Sequence, residues 1–486
     1  LSSATTSQTD AYGPVQMLID GAWTDGTSGR REEIRNPATD TVIGTVPLAS
    51  AQDLDRALAA ADAGFRRWRD TPVDARSRIL HQAAARLRER APGIARNMTR
   101  EQGKHYKEAL GEVTRVADMI SWDAEEGRRA YGRVVPMDND TELTIIRQPV
   151  GPVAAFTPWN FPAGSPTRKI AAALAAGCSI VIKASEEVPA TACAIAHCFQ
   201  DAGLPAGVLN LVFGVPAEVS SHLIPSPVVR FVAFTGSIPV GKQLAAMAAS
   251  HMKPHMMELG GHAPVIVCAD ADPVQAARAC IAGKIVNAGQ VCTSPSRFFV
   301  HDAIHDRFLA ELVKAAGEVV VGDGLDEGTT MGPLISHRRL QAVAQLVDDA
   351  RAGGATVVCG GERMDRPGHF YPPTILTDLS PQARVLHEEP FGPLLPVLRF
   401  SDLDDAIEQA NALPYGLAAY AFTKSATNAS RLKRRFEAGI LSINHTGGSV
   451  HQAPSGGWKE SGYGREGGPE GLDGYLITKR VLHKIL

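Results

Sequence analysis

Pro152-Val-Ala-Ala-Phe-Thr-Pro-Trp-Asn-Phe-Pro162 runs from an apolar strand into a turn, and Ser179-Ile-Val-Ile-Lys183 is a second apolar run that ends in charge. The rhythm continues along the chain. Strands are predicted at 152–157, 179–183, 208–212 and 228–234, and helices at 166–176, 188–202, 216–223 and 238–250. Short apolar runs bounded by turn residues suit strands buried on both faces. Strand-helix alternation implies a parallel sheet with right-handed crossovers. Ligands of such sheets bind beyond the C-terminal strand ends. A second alternating set runs from Pro264 to about Ile443. The expectation is an α/β protein of two lobes, with Glu258 and Gly260-Gly261 near their junction.

Outside these sets the patterns are simpler. Met17-Leu-Ile-Asp-Gly-Ala-Trp23 reads as short strands and turns. Ser50 with Asp53 resembles a capping box, and Leu54, Leu58, Ala61 and Phe65 form the apolar stripe of the helix that follows. Residues 134–149 alternate in part around Asp138-Asn-Asp140, a hairpin signature. Residues 1–14 are polar, lack the apolar core of a secretion signal, and are expected to form a poorly ordered tail.

The chain has 486 residues, room for two or three domains at about 150 residues each. A net charge of −3 offers no electrostatic case for nucleic acid or an anionic membrane surface. No apolar run approaches the roughly 20 residues that span a bilayer. Seven cysteines, with no Cys-x-x-Cys pair, argue against a disulfide framework and for a reducing cytoplasm. All except Cys292 read as small buried hydrophobes. His251/His255 and His301/His305 are each four apart, but surface histidines explain both pairs better than a metal, and none is expected.

Cys292 lies in Asn287-Ala-Gly-Gln-Val-Cys-Thr-Ser-Pro-Ser-Arg297, where small residues and turn formers bracket a thiol after a helical stretch. A thiol is a nucleophile only as thiolate. Asn160 falls at a strand's C-terminal end, where its amide can donate to a developing oxyanion, worth roughly 3 kcal/mol. A turn asparagine is the plainer reading of that residue taken alone. Glu258, in Met256-Met-Glu-Leu-Gly-Gly-His-Ala-Pro264, has apolar surroundings that could raise its pKa and suit it to general base work; a salt-bridged junction residue is the alternative. Lys183 and Glu186 could both reach a ribose, or form a solvated strand end. A carboxylate near the 2′ position disfavours a 2′-phosphate and favours NAD over NADP. Phe231-Val-Ala-Phe-Thr-Gly-Ser237 opens a helix whose N–H groups could meet a pyrophosphate, although an ordinary turn explains it equally well.

Taken together and in this order, Phe156-Thr-Pro-Trp-Asn-Phe-Pro162, Glu258-Leu-Gly-Gly261, Gly289-Gln-Val-Cys292 and Glu388-Glu-Pro-Phe-Gly-Pro393 resemble the aldehyde dehydrogenase superfamily over residues 15–480 or so. The resemblance implies a Rossmann-type NAD-binding domain (15–130 and 151–258), an α/β catalytic domain (259–467) and a β-hairpin oligomerisation element (131–150 and 468–486), in a homodimer or homotetramer. It implies Cys292 as nucleophile, Asn160 as oxyanion donor, Glu258 as base, and Lys169 with Glu466 as a proton relay. Cofactor contacts implied are Thr157, Pro158, Trp159, Lys183, Ser185, Glu186, Gly236, Ser237, Leu259, Glu389 and Phe391. The cofactor expected is NAD, with NADP admitted. The reaction is oxidation of an aldehyde to its acid through a thiohemiacetal and a thioester.

Thr167-Arg-Lys169 and Ala175-Ala-Gly-Cys178 are most similar to the succinate-semialdehyde dehydrogenase branch. There Arg168 matches a guanidinium that binds the substrate carboxylate, and Ser449 a serine of the same pocket. Phe161, Val286, Thr293 and Ser455 complete the expected substrate contacts. Two positions depart from that branch: Val286 replaces a second arginine, and Ser455 replaces a phenylalanine. The competing readings are a dehydrogenase for an uncharged aldehyde, a CoA-acylating enzyme, a non-catalytic relative, and a cofactor-independent thiol esterase. The acylating enzyme would lack the Glu258 base; the esterase would leave Lys183, Glu186 and Glu389 unexplained.

Overall fold

The computed structural model describes residues 12–447 and 450–485. The strands Val153–Phe156, Ile180–Lys183 and Leu209–Val212 are buried throughout and apolar except at Lys183 and Asn210, as expected of strands covered on both faces. They pair in parallel, with Val153 beside Ile180 and Ile180 beside Leu209. Phe231–Thr235 pairs on the other side of Val153–Phe156, and His255–Glu258 lies beyond it. The direction of winding therefore reverses between Val153–Phe156 and Phe231–Thr235, and a ligand crevice opens at that reversal. Met17–Ile19, Ala22–Thr24 and Gly462–Tyr463 complete an eight-stranded sheet. Gly462–Tyr463 pairs with Met257 and Glu258, so this sheet recruits a segment from the range assigned by sequence to the second lobe.

The intervening helices carry ordinary start and stop chemistry. Pro189, Pro216 and Pro239 stand in first turns, where a missing N–H is harmless. Gly177, at φ +96°, ends Gly164–Ala176 in the left-handed conformation that glycine adopts freely. Both bonds of the Ser50/Asp53 capping box form at the start of Ala51–Arg69. The expected 134–149 hairpin appears as Arg133–Val135 against Thr141–Pro149, and Leu476–Lys484 adds a third strand.

A second sheet of seven strands runs in the order Thr356–Cys359, Thr374–Thr377, Leu394–Phe400, Pro295–His301, Ala263–Val267, Ala418–Phe422, Ile440–Ile443. All its pairings are parallel except the first. Only four residues separate Glu258, which ends its strand in one sheet, from Ala263, which opens a strand of the other.

Three local expectations need correcting. His305 is buried, not a surface residue, because its face of Asp302–Gly317 packs on the second core. Cys359 is half-buried, because its strand lies at the sheet edge. Most of the 1–14 tail lies outside the described residues, but Tyr12 donates to Glu101 at 2.5 Å and packs beside Gly44, so contact with the core begins there. No described helix is long and apolar enough to cross a membrane.

Candidate active site

The helix Pro273–Ile285 ends in a 3-10 turn, Val286–Gly289, with Asn287, Ala288 and Gly289 at φ of 49°, 53° and 76°. Two consecutive L-residues in the left-handed region are unfavourable and persist only where the surroundings hold them. Glu108 accepts the N–H of Asn287 at 3.0 Å, and Gln102 donates to Asn287 Oδ1 at 2.7 Å. Gln290 closes the turn from within by donating to Asn287 O, and its own Oε1 accepts from the Ile335 N–H. Gly289 is required for space as well as for φ: a Cβ there would stand 2.3 Å from Gly392 O. The turn delivers Cys292 half-buried.

The Cys292 thiol is pushed up to about 12, first by burial and then by the charges of Glu258 and Glu389. The N–H groups of Thr293 and Cys292 itself act in the opposite direction. The thiol is therefore neutral at rest and needs a base or a change in its surroundings to react.

Glu258 ends its strand buried, and its Oε1 has no hydrogen-bond partner among the described residues. Burial, with help from the charge of Glu466, raises its carboxyl to about 8; Lys169, Arg168 and Arg465 oppose the rise. Lys169 is fully buried and donates to Glu466 Oε1 and Thr235 Oγ1, both at 2.6 Å. Asn160 donates from Nδ2 to Gln290 O at 3.1 Å. An amide nitrogen has two hydrogens, so one remains beyond that bond. Cys292, Glu258, Glu389 and Glu466 thus share one electrostatic neighbourhood, and Asn160 joins it through Gln290.

The proposed cofactor residues spread along the crevice. Lys183 donates to Glu186 Oε2 at 2.6 Å, and the Gly214 N–H donates to Glu186 Oε1 at 3.0 Å. Ser185 donates to Glu187 instead. Thr157 donates its N–H to Lys183 O, while its buried Oγ1 has no partner among the described residues. Ser237 is exposed at the start of Ile238–Ser250 and makes no side-chain cap, which leaves first-turn N–H groups open to an anion. Gly236 donates its N–H to Glu258 O, and Leu259 packs where a Cβ on Gly241 would lie. Glu389 accepts the Gly261 N–H at 3.1 Å and lies where a Cβ on Gly260 would come within 2.5 Å. Burial pushes its carboxyl up to about 7. Phe391 meets Trp159, which follows Pro158, edge to face at 5.6 Å. These open donors at the winding reversal fit a dinucleotide.

Of the residues expected to meet substrate, Arg168 is half-buried with Nη1 near the position a Cβ on Gly467 would take, and its charge acts on Asp123 and Glu258. Trp122 meets His451 at 5.8 Å between ring centres. The Thr293 carbonyl accepts from Tyr420 at 2.6 Å. Ser455 contributes its backbone, bridging Glu466 in both directions. Phe161 lies under the Lys104 ammonium, and Val286 is 38 % exposed at the start of the turn. Ser449 lies outside the described residues.

Several site residues had no signal in the sequence reading: Gln102, Lys104, Glu108, Glu112 and Lys284. Asn287 and Gln290 stood inside the Cys292 motif without an assigned task. The spacing of Glu108 and Glu112 by four was the one available hint of a shared helical face.

The Aldehyde dehydrogenase family model matches residues 23–481. The chain is 47% identical over 469 residues to 4-(hydroxymethyl)benzenesulfonate dehydrogenase of Comamonas testosteroni, covering 96% of this chain and 98% of that one. It is 43% identical to the NADP(+) succinate-semialdehyde dehydrogenase of Escherichia coli, covering 96% of each. The crystal structure of an E. coli NADP-dependent enzyme superposes with a TM-score of 0.96 at 42% identity, over 97% of this chain and 98% of that one. With its family signature spanning residues 23–481 and relatives of this closeness over 96% of its length, the chain belongs to the aldehyde dehydrogenase family.

Proposed function

We propose that this enzyme oxidises an aldehyde bearing an anionic group to its carboxylic acid, using NAD or NADP. The observation that carries the reading is Glu258, a buried carboxyl with an orphan oxygen whose charge acts on the Cys292 sulfur.

In this mechanism the Glu258 carboxylate takes the proton of Cys292 Sγ and passes it on, and the sulfur attacks the aldehyde carbon. Asn160 and the Cys292 N–H stabilise the oxyanion of the thiohemiacetal. A bound nicotinamide nucleotide supplies the hydride acceptor that turns the thiohemiacetal into a thioester. Glu258 then takes a proton from water, whose oxygen attacks the thioester carbon. The C–S bond breaks, the acid leaves, and the sulfur regains a proton. Lys169 and Glu466 relay the proton from Glu258. Lys183 and Glu186 would hold the adenine-side ribose, the start of Ile238–Ser250 would hold the pyrophosphate, and Glu389 with Phe391 would hold the nicotinamide side. Lys183 neutralises Glu186, which relaxes the bias against a 2′-phosphate.

Arg168 supports the anionic class, because a guanidinium pairs well with carboxylate or sulfonate. Both relatives bear names with such a group, benzenesulfonate in one and succinate semialdehyde in the other. An uncharged aldehyde is the second reading, favoured by Val286, which leaves a single arginine, and by the Asp123 carboxyl that faces it. Val134, Ile477 and Leu482, apolar and exposed on the three-stranded sheet, support its pairing with another copy in a homodimer or homotetramer.

The test is reduced-cofactor absorbance with NAD, NADP or CoA against succinate semialdehyde, 4-sulfobenzaldehyde, benzaldehyde and hexanal. Stoichiometric acid without CoA is expected, with the anionic aldehydes preferred. No reduced cofactor with any aldehyde would refute the reading.

A further inference from the structure

Lys104 and Glu112 form an ion pair with almost no exposure, at 2.5 Å. Neither was needed for the chemistry above. Glu112 is already well served without the lysine, because its Oε1 accepts the N–H groups of Ala163 and Gly164, each at 2.9 Å. Those groups open the helix Gly164–Ala176, where a carboxylate is favoured by the helix dipole. The ammonium does more than compensate this charge. It donates to the backbone carbonyl of Asn160 at 2.9 Å and stands 4.5 Å from the centre of the Phe161 ring. Asn287 Nδ2 donates to the same Asn160 carbonyl at 2.9 Å.

Glu108 lies one turn before Glu112 on the same helix, Tyr106–Arg128. It holds the N–H of Asn287, in the strained turn before Cys292. One rigid helix therefore grips both halves of the site through two carboxylates a turn apart. Glu108 fixes the turn that carries the thiol; Glu112 and Lys104 fix the segment that carries the amide donor. Asn160 Nδ2 and Asn287 Nδ2 both reach Gln290 O, which ties the two segments to each other.

We propose that Lys104, Glu108 and Glu112 are positioning residues that set the separation between Cys292 and the Asn160 amide. The inference rests on the oxyanion role of Asn160 given above. A donor displaced by a fraction of an ångström still lets aldehyde and cofactor bind, but loses stabilisation that arises only in the transition state.

The test replaces both charges together, Lys104→Met with Glu112→Gln, so that neither is left buried alone. The side-chain amide introduced by Glu112→Gln keeps an oxygen for the helix-start N–H groups. Glu108→Met, which removes the acceptor of the Asn287 N–H, is the second variant, should the first fold poorly. Each is measured in the full enzyme, alone and combined with Asn160→Ala, for kcat, for KM of each substrate and for the rate of Cys292 alkylation by iodoacetamide. The expected result is a kcat lowered on the order of 10- to 100-fold, with KM for the cofactor and thiol alkylation little changed. Combined with Asn160→Ala, the loss should be no greater than Asn160→Ala alone, since both act through one donor. Losses that multiply, or an unchanged kcat, would overturn the proposal. An Asn160→Ala enzyme with wild-type kcat would instead remove the oxyanion role itself, and the positioning role with it.

Discussion

Lys169 Nζ lies 2.6 Å from Glu466 Oε1, wholly inside the protein, and the two act on Glu258 with opposite sign. The ammonium favours the Glu258 carboxylate, whereas the Glu466 charge opposes it. Burial outweighs both and leaves the carboxyl at about 8. Below that value Glu258 holds its proton and cannot serve as base. Where thioester hydrolysis limits turnover, kcat should rise with pH through about 8. Glu466→Gln removes the opposing charge and should move this limb to lower pH. Lys169→Met removes the favouring charge and should move it higher. Profiles of kcat against pH decide the matter, and shifts in the same direction would detach the limb from Glu258.

Glu389 is one of the charges that hold the Cys292 thiol up. Its own carboxyl sits at about 7, so it is ionised at pH 8.5. Glu389→Gln should lower the thiol pKa and accelerate alkylation by iodoacetamide at that pH, several-fold, in the absence of cofactor. Mass spectrometry of the Cys292 peptide gives the rate. A slower reaction would show that the glutamate's charge does not reach the sulfur.

Lys284 is fully buried, with Nζ 3.2 Å from Gly392 O, and burial lowers it to about 7. The unfolded chain titrates this group near ~10.4. Between the two values the unfolded state carries the extra proton, so the lysine's contribution to stability improves as pH rises through that window. Below about 7 a charged ammonium must be buried. Lys284→Met should therefore stabilise the enzyme at pH 6, by about 1–3 kcal/mol, and gain little or nothing at pH 9. Thermal midpoints at the two values provide the comparison. An equal change in Tm at both would contradict the burial of a titrating group.

Arg168→Leu removes the cation proposed to meet a substrate anion. The expected loss in kcat/KM is on the order of 10- to 100-fold for succinate semialdehyde and 4-sulfobenzaldehyde. Benzaldehyde should lose far less. Equal losses for charged and uncharged aldehydes would mean that Arg168 acts through Glu258, whose pKa it also lowers, and not through the substrate.

Much of the architecture was legible because it is written locally. The runs at 152–157 and 179–183 became the strands Val153–Phe156 and Ile180–Lys183, since short apolar stretches bounded by turn residues suit doubly covered strands. The Cys292 loop was equally plain, because glycine and small residues after a helix announce a turn. Even the raised carboxyl of Glu258 followed from its apolar neighbours, although the charge of Glu466 that adds to the rise comes from far along the chain.

Residue type and local spacing determined the α/β architecture and the family likeness, and that likeness, not spacing, implied the thiol, base and amide. The tertiary structure alone decided how those groups are held. Glu108 meets Asn287 across 179 positions, and Lys104 meets Asn160 across 56. No periodicity reports such distances, because packing brings these polar groups together only after both segments have docked. It also buries them, and burial makes each charge act strongly on its neighbours.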